Sequence, residues 1–340
     1  MIFILLLLII FEPVLIINSE DELIKQRIIN AANYIKNRYD PRIGLVSESE
    51  DTGSNVPDGT PCYRTFWVYS DNLWASQALR PFFPQIAKNI SKSIMPYLVE
   101  YGYPNLFEVV LGIKITNTIY GKSNLKVATY TFDDVNYTVW VDRHKPGDGE
   151  IFYDAEEYAD LAFYLSLNYY LSGDISTSEH WFRIGEKMWN GYGFLDKAAK
   201  ESGRYQNYKL GLYLFTVKAT GFTSEIYNSV ENVAWSYQKE NGGIATQSYL
   251  NGTIYGTANV ETTSILLLAY NEELIEKFHP QISLKIIFLA SMILVIVIVI
   301  VLVLIMIRRL PHNNPKSIRR RFFKKGDYQF TTHTCVDSWL

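Results

Sequence analysis

The chain has 340 residues, 48% of them apolar and 20% charged, with a formal net charge of −3. Its acidic balance sits in the part before residue 308, which argues against nucleic acid or anionic lipid as the partner of that part. Two cysteines, Cys62 and Cys335, and five scattered histidines supply neither a disulfide framework nor metal-ligand spacing, so no metal and no cofactor is expected. No phosphate-binding loop and no G-x-S-x-G nucleophile elbow is present.

Met1 to Ile17 is almost wholly apolar, broken by Glu12 and Pro13, and reads as a signal peptide over residues 1–18, with an uncleaved signal anchor as the competing reading. An exported domain then spans residues 19–280. Within it one unit recurs: an amphipathic helix, a Gly-containing loop, and a helix apolar nearly all round. Asp21 to Tyr39 opens the first copy, with Leu23, Ile28, Ile29, Ala32 and Ile35 near helical spacing. Asp40-Pro41 stops it, since proline forbids continuation. A long loop carrying Glu48, Glu50, Asp51, Arg64, Trp67 and Tyr69 leads to a helix opened by Ser70-Asp71-Asn72. Pro84 to Tyr97 begins a second copy that Glu156 to Leu171 completes. Ser176 to Trp189 pairs with Arg204 to Val217, and Tyr227 to Tyr237 pairs with a helix from Asn259 to Tyr270. The second copy is interrupted by residues 107–153, rich in Val, Ile, Thr and Tyr with period-two stretches, expected as a β-hairpin or small antiparallel sheet. Gly121-Lys-Ser-Asn and Pro146-Gly-Asp-Gly are its expected turns.

Ile286 to Ile307 has Ser291 as its one polar residue, and eight basic against two acidic side chains follow in residues 308–340. Its length matches a bilayer core, so residues 286–307 are expected as a transmembrane helix and the basic tail as cytoplasmic. The expected localisation is a cell membrane, single-pass type I, ectodomain outside. Sequons at Asn89, Asn136 and Asn251 agree with export and are the expected glycosylation sites.

Helices apolar on all sides must be buried on several, and helices with one stripe must lie outside them. The expected fold class is therefore mainly α: a toroid-like α/α array of about four helical hairpins, with a β insert and one transmembrane helix. The phrases Tyr39-Asp-Pro-Arg-Ile-Gly-Leu-Val, Trp67-Val-Tyr-Ser-Asp-Asn-Leu and Asn241-Gly-Gly-Ile-Ala-Thr resemble those of membrane-anchored archaeal ectodomains of uncharacterised function. The helical pattern is also similar to six-hairpin glycosidase and terpenoid-cyclase-like toroids, an architectural likeness that does not carry function.

In such an array the inner helices start at one mouth. Their first turns hold Asp71 and Asn72, Glu156, Glu157 and Asp160, Tyr205 and Gln206, and Asn259 and Glu261; Glu48, Glu50, Asp51, Arg64, Trp67 and Tyr69 join from the long loop. Acceptors for hydroxyls beside flat aromatic rings suit sugar recognition, and two carboxyls about 5–9 Å apart would permit glycoside hydrolysis. Asp71 with Glu157 or Glu261 is the expected catalytic pair. The simpler account is helix capping: acids in a first turn favour the macrodipole, and Asp154-Ala-Glu-Glu157 and Ser176-Thr-Ser-Glu179 have capping-box spacing. Two functions follow from different classes. One is a surface module binding glycan or an envelope protein; the other is a membrane-tethered glycoside hydrolase or lyase.

Overall fold

The computed structural model describes residues 22–50, 56–102, 105–143, 151–279 and 284–309. The proposed signal peptide, the tail from residue 310, Cys335 and the Pro146-Gly-Asp-Gly turn lie outside them. By contacts the chain falls into two units, Met1–Gln281 and Ile282–Leu340.

In the first unit, α1 (residues 22–36) leads into a short antiparallel pair, β1 (Tyr39–Asp40) and β2 (Leu45–Val46). Then follow β3 (Thr65–Val68), α2 (Asp71–Ala78), α3 (Pro84–Tyr101) and α4 (Asn105–Val110). The hairpin β4 (Ser123–Phe132) and β5 (Val135–Arg143) comes next. The remaining helices are α5 (Ala159–Leu171), α6 (Ile175–Glu186), α7 (Lys197–Ser202), α8 (Tyr208–Thr220), α9 (Tyr227–Ser236), α10 (Val260–Leu268) and α11 (Glu272–Ile275). Interleaved with them are β6 (Arg204–Gln206), β7 (Ala245–Tyr249) and β8 (Ile254–Ala258).

The apolar helices pack on one another in the order α2, α10, α8, α5, while α3, α6 and α9, each with one apolar stripe, cover them. Every residue of α2 is buried. Two glycines set the spacing. Gly211 on α8 leaves no room for a side chain, since a Cβ there would lie 2.6 Å from the Leu266 backbone of α10. Gly185 on α6 likewise faces the Phe163 ring, whose neighbours Phe182, Phe194 and Tyr213 form an aromatic cluster with centroids 5.2–6.2 Å from it.

The mainly α, toroid-like expectation with a transmembrane helix is corrected. The described residues are about 52% helical with 19% strand, and among them the strands form three small sheets rather than one insert. Pairs and triplets such as Leu45–Val46 and Arg204–Gln206 are too short to show a period of two, so they read as loop or helix; only pairing with distant segments makes them strands. The insert is also not self-contained. Its strand β5 pairs antiparallel with β4 and parallel with β3 from the first loop, in the order β3-β5-β4. The hairpin turns at Asp133-Asp134, both at positive φ (50° and 61°), as a two-residue turn matching strand twist requires. Gly121-Lys-Ser-Asn instead runs into β4.

Among the described residues no helix is long and apolar enough to cross a membrane. The helix α12 (Leu284–Arg309) is present, with side chains described over 291–306.

The caps differ in detail. Asn259 caps α10 as expected, accepting from the Thr262 N–H at 2.9 Å, but α6 is capped by Asp174 rather than Ser176. Asp154 makes no capping bond. The α8–α10 crossing gives a test: Gly211→Ala is expected to destabilise the protein by about 1–3 kcal/mol in chemical denaturation, through overpacking. An unchanged midpoint would contradict the close approach.

Candidate functional site

The first turns of α2 and α10 lie side by side, and the first loop is stitched between them. Glu48 N–H donates to Thr65 at the head of β3, and the Glu48 carbonyl accepts from Val260 N–H at 2.9 Å. Asn72, fully buried, clamps the same loop. Its side chain accepts from Val46 N–H at 2.7 Å and donates to the carbonyls of Val46 and Trp67. Tyr69, just before α2, holds φ at +83°, a conformation costly for a side chain with a Cβ. These constraints bring Glu48, Asp71 and Glu261 to one place, where Trp67, Ser70, Lys122, Asn124 and Asn259 complete a cavity of about 220 Å³.

A second chamber of about 270 Å³ shares Ser70, Lys122 and Glu261 with the first, making one cleft. Its polar wall is Asp142, Asp160, Tyr164 and Tyr208. Among the described residues Lys122 is the one basic side chain lining either chamber. Its ammonium lies 3.3 Å from Asp142, a side chain with no exposure, and 5.8 Å from the Trp67 ring centroid. Trp67 stacks obliquely on Trp140 at 5.5 Å, and its indole N–H donates to the Glu48 carboxylate at 3.2 Å.

Carboxyls this crowded and dry do not ionise normally. Burial pushes Glu261 up to about 7, with Lys122 opposing and Asp142 and Glu48 adding to the rise. Asp71 is held well above the aspartate range, first by burial and then by the charges of Glu48, Glu261 and Asp142. Among the described residues its Oδ2 has no hydrogen-bond partner, although the residue is only 2% exposed. Glu48 is raised by burial, against the pull of its donors Trp67 and Cys62. For Lys122, burial lowers the ammonium, but Asp142 and Glu261 outweigh it and the net direction is upward.

The far wall is compensated differently. Asp160 accepts from the Tyr208 hydroxyl at 2.5 Å and pairs with Lys209 at 3.0 Å; Lys209, itself buried, also pairs with Asp196 at 2.5 Å. Burial would raise Asp160, but Lys209 and Tyr208 prevail and hold it low.

Of the residues expected at the mouth, Glu48, Asp71, Asp160, Glu261, Trp67 and Asn259 line the cleft. Glu157 does not: it pairs with Lys197 at 3.2 Å in a separate surface hollow together with Glu156. Arg64 lies over the Tyr63 ring, Tyr69 is fully buried, and Asn72 is the loop clamp. Tyr205 is buried on β6 with Asn190 donating to its hydroxyl, and Gln206 pairs in register with Gln247. Of the sequons, Asn136 and Asn251 are exposed and Asn89 is half-buried; Thr138 of the Asn136 sequon is buried on β5.

Lys122, Asp142, Tyr164 and Tyr208 are cleft residues absent from the expected set. For Asp142 the signal was there: alternation along β5 puts it on one face with Thr138 and Trp140. For Lys122 none was, because its role depends on where the hairpin docks. Among the described residues no group of three His, Cys, Asp or Glu is arranged to hold a metal ion. Comparison with protein-family models, curated proteins and solved structures finds no match.

The raised Glu261 makes stability depend on pH. The folded state holds this proton more tightly than the unfolded chain, so stability is full below the ordinary value of 4.5 and is lost as pH rises through about 7. Asp71 acts with the same sign. Glu261→Gln is expected to flatten the fall in Tm between about pH 5 and 7 and to raise Tm relative to wild type above that window. Parallel Tm–pH curves would contradict the assignment.

Proposed function

We propose that the cleft binds a glycan and hydrolyses it by acid–base chemistry, with Glu261 as the proton donor. The observation that carries this reading is a carboxyl titrating near 7 inside a cavity that also holds a second, hydrogen-bond-deficient carboxyl, Asp71. A general acid works best with a pKa near the working pH, and burial is the usual means of raising a carboxyl there. Neutral Glu261 would protonate the glycosidic oxygen, and Asp71 is the opposing group, to activate water or take the anomeric carbon. Trp67 and the Tyr164 and Tyr208 pair offer ring faces and hydroxyls to a sugar. Lys122 keeps Asp142 charge-compensated.

The domain is proposed to act outside the cytoplasm, at a cell surface, which the exposed sequon asparagines Asn136 and Asn251 support. One observation favours the second reading, a recognition module for glycan or an envelope protein. Burial favours the protonated form of both Asp71 and Glu261, and a protonated carboxyl can donate to and accept from hydroxyls without cleaving anything.

Incubation of the protein with an oligosaccharide panel, read by mass spectrometry, separates the two. The hydrolase reading expects cleavage products, a rate that falls as pH rises past about 7, and a loss of about 10²–10⁴-fold in kcat for Glu261→Gln. Bound but uncleaved oligosaccharide would leave the recognition module, and cleavage that survives in Glu261→Gln would remove Glu261 from the mechanism.

A further inference from the structure

We propose that the ligand presents a primary ammonium group to Asp71, so that the cleft selects an aminated glycan over neutral or N-acetylated ones. The inference rests on the reading of the cleft as a glycan site and names its substrate class.

The argument is one of unmatched partners. The other acidic side chains of the cleft wall except Glu261 each have a cation or a donor beside them, although neither Asp142 oxygen is hydrogen-bonded among the described residues. Asp142 has the Lys122 ammonium, Asp160 has Lys209 and the Tyr208 hydroxyl, and Glu48 has the Trp67 indole. Among the described residues Asp71 Oδ2 has neither a hydrogen bond nor an ion pair, although the residue is buried and lines the smaller chamber. A buried carboxyl oxygen left without a donor is costly, and native structures supply one unless a ligand does so. Among the described residues the chamber also holds three acidic side chains, Glu48, Asp71 and Glu261, against Lys122 alone. What is missing is therefore a compact cation with several N–H donors, which describes an ammonium carrying three. A hydroxyl would satisfy the hydrogen bond but not the charge, and an acetamide would add bulk without charge.

The consequence for the reaction is direct. An ammonium beside Asp71 favours its carboxylate form, so the bound substrate itself would ionise the opposing group and release its proton to solvent. The two carboxyls would then differ in charge as an acid–base pair requires.

Isothermal titration at pH 7 with a glucosamine dimer, its N-acetylated form, cellobiose and putrescine tests this. The dimer is expected to bind at least tenfold more tightly than cellobiose or the N-acetylated dimer, with affinity rising with pH. In two buffers of different ionisation heat the wild type should show net proton release on binding. Asp71→Asn should lose the preference. Putrescine carries the ammonium without the ring and is expected to bind more weakly; equal binding would overturn the sugar part of the proposal. Equal binding of aminated and neutral sugars, or no proton release from the wild type, would overturn the ammonium at Asp71 while leaving the glycan reading in place. No binding by any of the sugars would overturn both.

Discussion

Helices that are apolar on every side must be packed on every side, and whatever opens such a helix is carried inward with it. This constraint underlies the rest of the structure. The helices α2 and α10 lie against each other in the interior, and their first turns begin with Asp71 and Glu261. On a surface helix those acids would be ordinary partners of the macrodipole. Here they keep that favourable position but lose water, and desolvation becomes the largest influence on both. The cleft is therefore a product of helix burial as much as of its lining.

The two sides of the cleft handle buried charge in opposite ways. At Asp160 a buried lysine and a tyrosine hydroxyl overcome the cost of burial, and the carboxylate stays charged. At Asp71 and Glu261 the nearby Lys122 ammonium pairs with Asp142, and the carboxyls rise instead. Removing one partner from a buried pair is expensive because the other charge is stranded, so a paired wall is rigid by necessity. An unpaired group tolerated in the same cavity is a different arrangement, and perturbed carboxyls in clefts are where function concentrates. The loop residues Glu48 and Trp67 connect the two, since the Asn72 clamp and the Glu48–Val260 bond fix their backbone to both helices.

Much of this was legible in the residues and some was not. The long apolar runs around Leu73–Leu79, Leu161–Leu167, Leu210–Leu214 and Ile265–Leu268 mark buried helices whatever their neighbours. The likeness of their starts pointed to Asp71 and Glu261. The same rule failed for Glu157 because α5 begins later, at Ala159, after a separate short turn that holds Glu157 against Lys197. The strands failed for a physical reason as well. A segment such as Thr65–Val68 becomes a strand by pairing with β5, more than seventy positions away, and no local pattern encodes that partner. Lys122 and Asp142 enter the cleft through this non-local pairing, which is why the hairpin read as an appendage and turned out to be part of the wall.

The central claim is that the Glu261 carboxyl holds a proton at neutral pH because it is buried among other acids. A site-resolved ¹³C NMR titration of the glutamate carboxyls in the unliganded protein measures this directly. The account predicts one glutamate titrating near 7 that disappears from the spectrum of the Glu261→Gln variant. If Glu261 instead titrates near its ordinary value of 4.5, the carboxyl is hydrated and charged, and the acid–base reading of the cleft is contradicted.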